Sequence, residues 1–309
     1  MPIIGQLIKA AIEVKEKLSF SNDPSEDQEE LLREMLDTAS QTAFGKFYHF
    51  EAILEAEDVQ KEFKRIVPYH DYNQMYERWW KQTVQDVPDI SWPGEIKYFA
   101  LSSGTTGKSS KRIPVSDEML EAIRSTAIDQ ITAMANFDLP PDFYEKEILM
   151  LGSSTDLKIN GKHKEGEISG ISASNIPNWF EGSYRPGKEI SAIEDWDERI
   201  EEIAKEAPNW DIGALSGIPA WIELMLKKII EVNKLDNIHQ IWPHLQVYTS
   251  GGVAFDPYRK GFEKLLAKPI YVVDTYLASE GFLGYQIRPN TKAMKLALNN
   301  GIYFEFVPF

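Results

Sequence analysis

Ile4, Leu7, Ile8, Ala11, Ile12 and Leu18 recur close to the spacing that lines one face of a helix, so residues 3–18 are predicted to be helical. The stretch SNDPSEDQEELLREMLDTASQTAFGKF supplies a capping signal and a second helical pattern, with Gly45 as its expected stop. Two shorter helical patterns cover 54–66 and 71–84, and DVPDISWPGE reads as a loop. Residues 1–90 are therefore expected to form a helical N-terminal segment packed on a main domain over 91–309.

The pattern changes after that loop. IKYFALS reads as a strand, KRIPVS as a short second strand, and SDEMLEAIRSTAIDQITAMANF as a capped helix. EILMLGSS is a strand, 155–191 is rich in loop residues, and SAIEDWDERIEEIAKEA is an amphipathic helix. Three further strands follow, in WDIGALSG, LQVYTSGG and PIYVVDTYLASEG; helical patterns separate them, and the last strand runs into a loop. Strands alternating with helices predict an α/β fold with mixed, largely parallel sheets flanked by helices. The run GIYFEFVPF is strand-like and ends without a polar tail, so the 309 residues are expected to be the front of a longer chain.

Composition narrows the function. The chain is 43% hydrophobic and 26% charged, with a formal net charge of -15. Such an acidic protein is a poor match for nucleic acid, whose phosphates demand clustered Lys and Arg. A local basic spot remains at Lys108, Lys111 and Arg112. There is no cysteine, which removes disulfides, thiolate metal sites and a cysteine nucleophile. The N-terminus is too charged for a signal segment and no apolar run has the length of a membrane span, so a cytoplasmic location without a membrane partner is expected.

The chemistry is concentrated in YFALSSGTTGKSSKRIPVS, residues 98–116. A loop this rich in Gly, Ser, Thr and Lys suits phosphate. A Walker loop needs a glycine where Ser102 stands, and a helix directly after Lys108. Pro114 lacks a donor and holds Ile113 extended, so the loop is predicted to join two strands instead. A Ser/Thr/Gly hairpin followed by a lysine, here Lys111, can wrap the outer phosphates of ATP with hydroxyls and N–H groups. Two other strand ends fit the same ligand. TSGG, 249–252, would let adenine approach bare backbone; TYLASEG, 275–281, offers an aromatic to stack on it, a serine for phosphate and a carboxylate for Mg²⁺. The carboxyl ends of parallel strands are where such folds take ligands.

LSSGTTGKSSKRIPVS, SGIPAW, YTSGG, YLASEG and GIYFEFVPF together resemble the auxin-responsive acyl acid amido synthetases, within the acyl-adenylate (firefly-luciferase-like) superfamily. The resemblance covers nearly the whole chain. It implies the large N-terminal domain of an adenylate-forming enzyme, a ligase that joins a carboxylic acid to an amino acid through an acyl-adenylate at the expense of ATP with Mg²⁺. It implies that Ser102, Ser103, Thr105, Thr106 and Lys111 face phosphate, and that Gly251, Gly252 and Val253 line adenine. Tyr276 would stack on the base, Ser279 meet the α-phosphate and Glu280 bind Mg²⁺, with Lys111 and Glu280 as the catalytic pair. Gly217, Ile218, Pro219 and Trp221 would line the acid pocket. The family's third nucleotide motif, Tyr-Arg-x-Gly-Asp, and its C-terminal domain are expected beyond Phe309.

Other features read as structural. Tyr76, Trp79 and Trp80 are expected in a core, EDWDERIEEIAKEA on a solvated helix face, and His163, His239 and His244 lack the spacing of zinc ligands. The competing functions are a P-loop kinase or ATPase, and a nucleotide-binding protein without turnover.

Overall fold

The computed structural model describes residues 3–18, 23–102, 110–178 and 180–307. The strands are β1 (Tyr98–Ser102), β2 (Lys111–Val115), β3 (Glu147–Leu151), β4 (Lys158–Asn160), β5 (His163–Gly166), β6 (Tyr184–Arg185), β7 (Ile212–Gly217), β8 (Val247–Ser250), β9 (Tyr271–Ala278), β10 (Gly281–Tyr285) and β11 (Lys295–Leu296). They form a four-stranded sheet in the order β2-β1-β5-β4 and a seven-stranded sheet in the order β11-β10-β9-β8-β7-β3-β6.

The chain divides into two compact units, Met1–Phe20 with Ser125–Leu157 and Ile168–Leu296, and Ser21–Arg124 with Lys158–Glu167 and Ala297–Phe309. These units cut the chain elsewhere than residue 90. The helices over 24–83 share a unit with the four-stranded sheet, and helix Ile3–Leu18 belongs to the unit of the large sheet.

In the unit of the large sheet, β6, β3, β7, β8 and β9 run parallel, and β10 and β11 extend one edge antiparallel. Both faces are covered, which is why these strands read as near-continuous apolar runs. Leu215 and Tyr248 point into a core with Ile222, Met225, Leu226 and Ile229 of helix Pro219–Asn233 and with Trp242. Their neighbours Ala214 and Val247, with Val273, face Met134, Phe137 and Leu139 on the opposite side. Alternation within each strand thus feeds two cores. Helix Trp196–Glu206 starts where the Asp195 carboxylate accepts the Glu198 N–H, and it buries Ile200 and Ile203 while its acidic positions face out.

In the other unit, helix Pro24–Ala39 begins at an Asp23 cap and stops at Ala39. Gly45 is not its stop. It lies inside the next helical turn, Ala43–Phe47, where a Cβ would fall 2.1 Å from the Ala39 carbonyl oxygen. Phe44 packs on Tyr48, Phe50, Trp79 and His70 at ring distances of 4.8–5.8 Å. Trp79 is buried as the sequence suggests. The expected strand at GIYFEFVPF does not form: residues 302–307 are irregular and pair with no strand among the described residues. The buried Gln28 side chain takes their backbone groups instead, donating to the Ile302 carbonyl and accepting the Phe304 N–H at 2.7 Å. The loop-rich stretch 155–191 contains β4 and β5, which complete the small sheet.

Candidate active site

The carboxyl ends of β3, β7, β8 and β9 line up in one row. Leu151 pairs with Gly217, Gly217 with Ser250, and Ser250 with Asp274. The chain passes from β3 to β6 on one side and then to β7 on the other, so the row includes the point where strand order reverses, the position at which open parallel sheets bind ligands. Just beyond the row lie Ile218, Gly251 and Thr275.

The glycines here are required by geometry. Gly217 has φ 153°, and a Cβ on it would sit 2.6 Å from the Leu151 carbonyl oxygen. Gly252 has φ 80°, a left-handed conformation, and the Ile218 side chain would lie 3.3 Å from its Cβ. The Gly251 N–H donates to the Gly217 carbonyl, which also accepts the Tyr248 hydroxyl at 2.9 Å, so the ends of β7 and β8 are tied together. The Thr275 hydroxyl ties β9 to β8 by donating to the Ser250 carbonyl at 3.0 Å. Pro219 opens helix Pro219–Asn233 directly after β7, and Trp221 in its first turn packs on Trp196 with ring centroids 5.2 Å apart. Gly217, Ile218, Pro219, Trp221, Gly251, Gly252 and Val253 therefore all stand at one edge of one sheet.

TYLASEG differs from its expected form. It is not a strand running into a loop: β9 continues to Ala278, four residues past the row, and turns back into β10 through Ser279 and Glu280. At about 3.3 Å per residue the hairpin reaches about 13 Å beyond Asp274. Tyr276 on this extension is 58% exposed, and Val253 is 50% exposed. Large apolar side chains this open at strand ends are available to stack on a ligand. Glu280 is exposed on the turn.

Two polar groups in the row were not among the expected site residues. Ser250 Oγ and Asp274 Oδ1 are buried with no hydrogen-bond partner among the described residues. Burial, followed by the charge of Asp256, raises the Asp274 carboxyl above its usual range; the neighbouring Ser250 hydroxyl opposes the shift but does not reach Oδ1 in hydrogen-bonding geometry. Only the strand register brings these two residues side by side, so no local motif marks them as a pair.

The hairpin expected to take phosphate belongs to the other unit. Its base is Ser102 paired with Lys111, and antiparallel β2 follows it, as Pro114 predicts. No helix follows the loop, which removes the Walker reading. Ser103, Thr105 and Thr106 lie outside the described residues. Beside the base, the Glu165 carboxylate accepts from Arg112 Nε at 2.7 Å and from Asn160 Nδ2 at 2.9 Å, and His163 Nε2 lies 3.3 Å from it. His163 Nδ1 meets Asp86 at 2.8 Å. Burial alone would raise the Glu165 carboxyl, but these partners, Arg112 foremost, hold it below the usual carboxylate range.

Among the described residues no cluster of three or more His, Asp or Glu side chains could hold a metal ion, and no helix is long and apolar enough to cross a membrane.

Two solved structures share this architecture. GH3.15 acyl acid amido synthetase is 14% identical with a TM-score of 0.72, and AtGH3.15 acyl acid amido synthetase in complex with 2,4-DB is 13% identical with a TM-score of 0.69. Each match covers 94% of this chain and 60% of the other, so the chain spans about three fifths of the length of these relatives. The chain has the fold of the matched part of these two proteins. The profile of the GH3 family N-terminal domain matches residues 13–184, more than half of the sequence, and the chain belongs to the GH3 family. No curated protein sequence matches.

Proposed function

We propose that the protein activates a carboxylic acid as an acyl-adenylate with ATP and Mg²⁺, and that the full reaction joins the acid to an amino acid. The observation that carries this reading is the gathering of Gly251, Gly252 and Tyr276 with Gly217, Ile218 and Trp221 at one strand-end row, in a chain of the GH3 family.

In the first step a carboxylate oxygen attacks the α-phosphorus of ATP, and the bond to the β-phosphate breaks to release pyrophosphate. In the second an amine attacks the acyl carbon, loses a proton and displaces AMP. Neither step needs a protein nucleophile; both need alignment and charge stabilisation. Gly251 and Gly252 present backbone to the adenine, with Val253 beside it, and Tyr276 stacks on the base. Ser279 meets the α-phosphate, and Ser102, Ser103, Thr105, Thr106 and Lys111 hold the outer phosphates. The acid lies against Gly217, Ile218, Pro219 and Trp221. Glu280 suits Mg²⁺: its carboxylate is exposed, and Mg²⁺ takes one or two carboxylates with phosphate oxygens rather than a full protein cage. Bound there, the ion would neutralise charge on the phosphates.

Base–aromatic stacking contributes about 1–3 kcal/mol per base in nucleic-acid complexes. Tyr276→Ala is accordingly expected to weaken AMP binding by about 5- to 150-fold, read by calorimetry, with little change in thermal unfolding because the ring is exposed. The reaction is tested by pyrophosphate release with Mg·ATP and a panel of aryl and indolyl acids. Release that depends on the acid supports adenylation. ADP and phosphate formed without acid would point to an ATPase.

A further inference from the structure

We propose that Tyr72 is a positioning residue for Lys111 at the start of β2, holding it ready for the triphosphate of a nucleotide. The inference rests on the adenylation reading above and adds a residue that the nucleotide motifs do not contain.

Lys111 opens β2 opposite Ser102, and its ammonium lies 5.1 Å from the centre of the Tyr72 ring. The hydroxyl of the same tyrosine accepts the backbone N–H of Arg112 at 2.8 Å. One side chain therefore engages both the lysine and the backbone of the next residue. The strand geometry explains why that N–H needs a partner. β2 is an edge strand, and the nitrogens of Arg112 and Pro114, two residues apart, face the same unpaired edge. Proline has no donor, so the Arg112 N–H is the one that a capping acceptor must satisfy. Burial raises the Tyr72 hydroxyl above its ordinary range, so it remains a neutral phenol near neutral pH.

Tyr72 is itself held. It follows a capping box in which Asp71 accepts the Gln74 N–H and Gln74 accepts the Asp71 N–H. Its ring stacks on Tyr76, 5.7 Å away at 21°, and touches Trp80 at 6.0 Å. Tyr76–Trp80 is a π-helical turn, a local irregularity that occurs often at functional sites. Trp80 is fixed in turn by donating its indole N–H to Ser91 Oγ at 3.2 Å. A lysine otherwise keeps a flexible four-carbon stem and a strongly hydrated charge. An aromatic face restrains it without neutralising it, which is the state needed to meet phosphate.

The test compares Mg·ATP with AMP, which lacks the outer phosphates, by calorimetry on wild type, Tyr72→Phe, Tyr72→Leu, Lys111→Ala and the Tyr72→Leu/Lys111→Ala pair. Tyr72→Leu removes a cation–π contact and a hydrogen bond, and is expected to weaken Mg·ATP about tenfold while AMP changes less than about twofold. Tyr72→Phe keeps the ring and should fall between, and it decides the matter if the leucine variant does not fold. Tyr72→Leu should add little once Lys111 is gone. Equal loss for both nucleotides, no loss, or tighter Mg·ATP binding would overturn the proposal; tighter binding would mean that the ring sequesters the lysine. Wild type that binds neither nucleotide would overturn the adenylation reading itself, and the role of Tyr72 with it.

Discussion

Trp242→Ala is expected to lower the stability of the large-sheet unit by about 3–5 kcal/mol, the cost of truncating a buried tryptophan. Trp242 is fully buried in the core beneath β7 and β8, and its indole N–H donates to the Ala207 carbonyl at 2.9 Å. Truncation removes the packing and this hydrogen bond, leaving the Ala207 carbonyl with only the Trp210 N–H at 3.3 Å. For a unit of this size the unfolding midpoint should fall by about 6–20 °C. The same core fixes Leu215 and Tyr248, whose strands end in Gly217 and Ser250, so nucleotide affinity should fall with stability. Trp242→Phe should recover part of the packing but not the hydrogen bond. Scanning calorimetry of the three proteins checks the order wild type, Phe, Ala.

Glu165→Ala is expected to cost about 2–4 kcal/mol in the other unit, measured by urea unfolding. Glu165 is buried, and its loss takes the partner from Arg112, Asn160 and His163 Nε2, although His163 keeps Asp86 on Nδ1. The figure lies at the lower end for a broken buried pair because 34% of the Arg112 side chain faces solvent, which screens the charge left behind. Replacing both partners, Arg112→Met with Glu165→Leu, should recover much of the loss. The pH dependence has a definite sign. The folded carboxyl titrates below its unfolded value, so its contribution is complete above about pH 5 and is lost as pH falls through the folded pKa. The gap between wild type and Glu165→Gln should therefore narrow in acid and stay level from neutral pH upward.

Much of this architecture is legible in the sequence because it follows local rules. Pro114 and Ile113 make the segment after the Gly/Ser/Thr-rich loop a strand, and the loop joins β1 to β2 as they require. The apolar runs of β7, β8 and β9 announce strands covered on both faces. What was not legible depends on partners remote in sequence. GIYFEFVPF has strand composition, yet a strand exists only through its neighbour, and Gln28 satisfies these backbone groups instead. The β9–β10 hairpin escaped notice because its turn, Ser279-Glu280, carries none of the Asn-Gly or Gly-first signals of two-residue hairpins. The pairing of Ser250 with Asp274, and the approach of Tyr72 to Lys111 across 39 positions, have no local signature at all.

The central claim is that this GH3-family chain activates a carboxylic acid on ATP. Exchange of radiolabelled pyrophosphate into ATP tests the first step alone, without an amine acceptor. The protein is incubated with Mg·ATP, labelled pyrophosphate and each aryl or indolyl acid in turn. The account predicts exchange that requires both the acid and Mg²⁺ and that falls sharply in Lys111→Ala. Label entering ATP equally well without any acid, or no exchange with any acid in a protein that binds Mg·ATP, would contradict it.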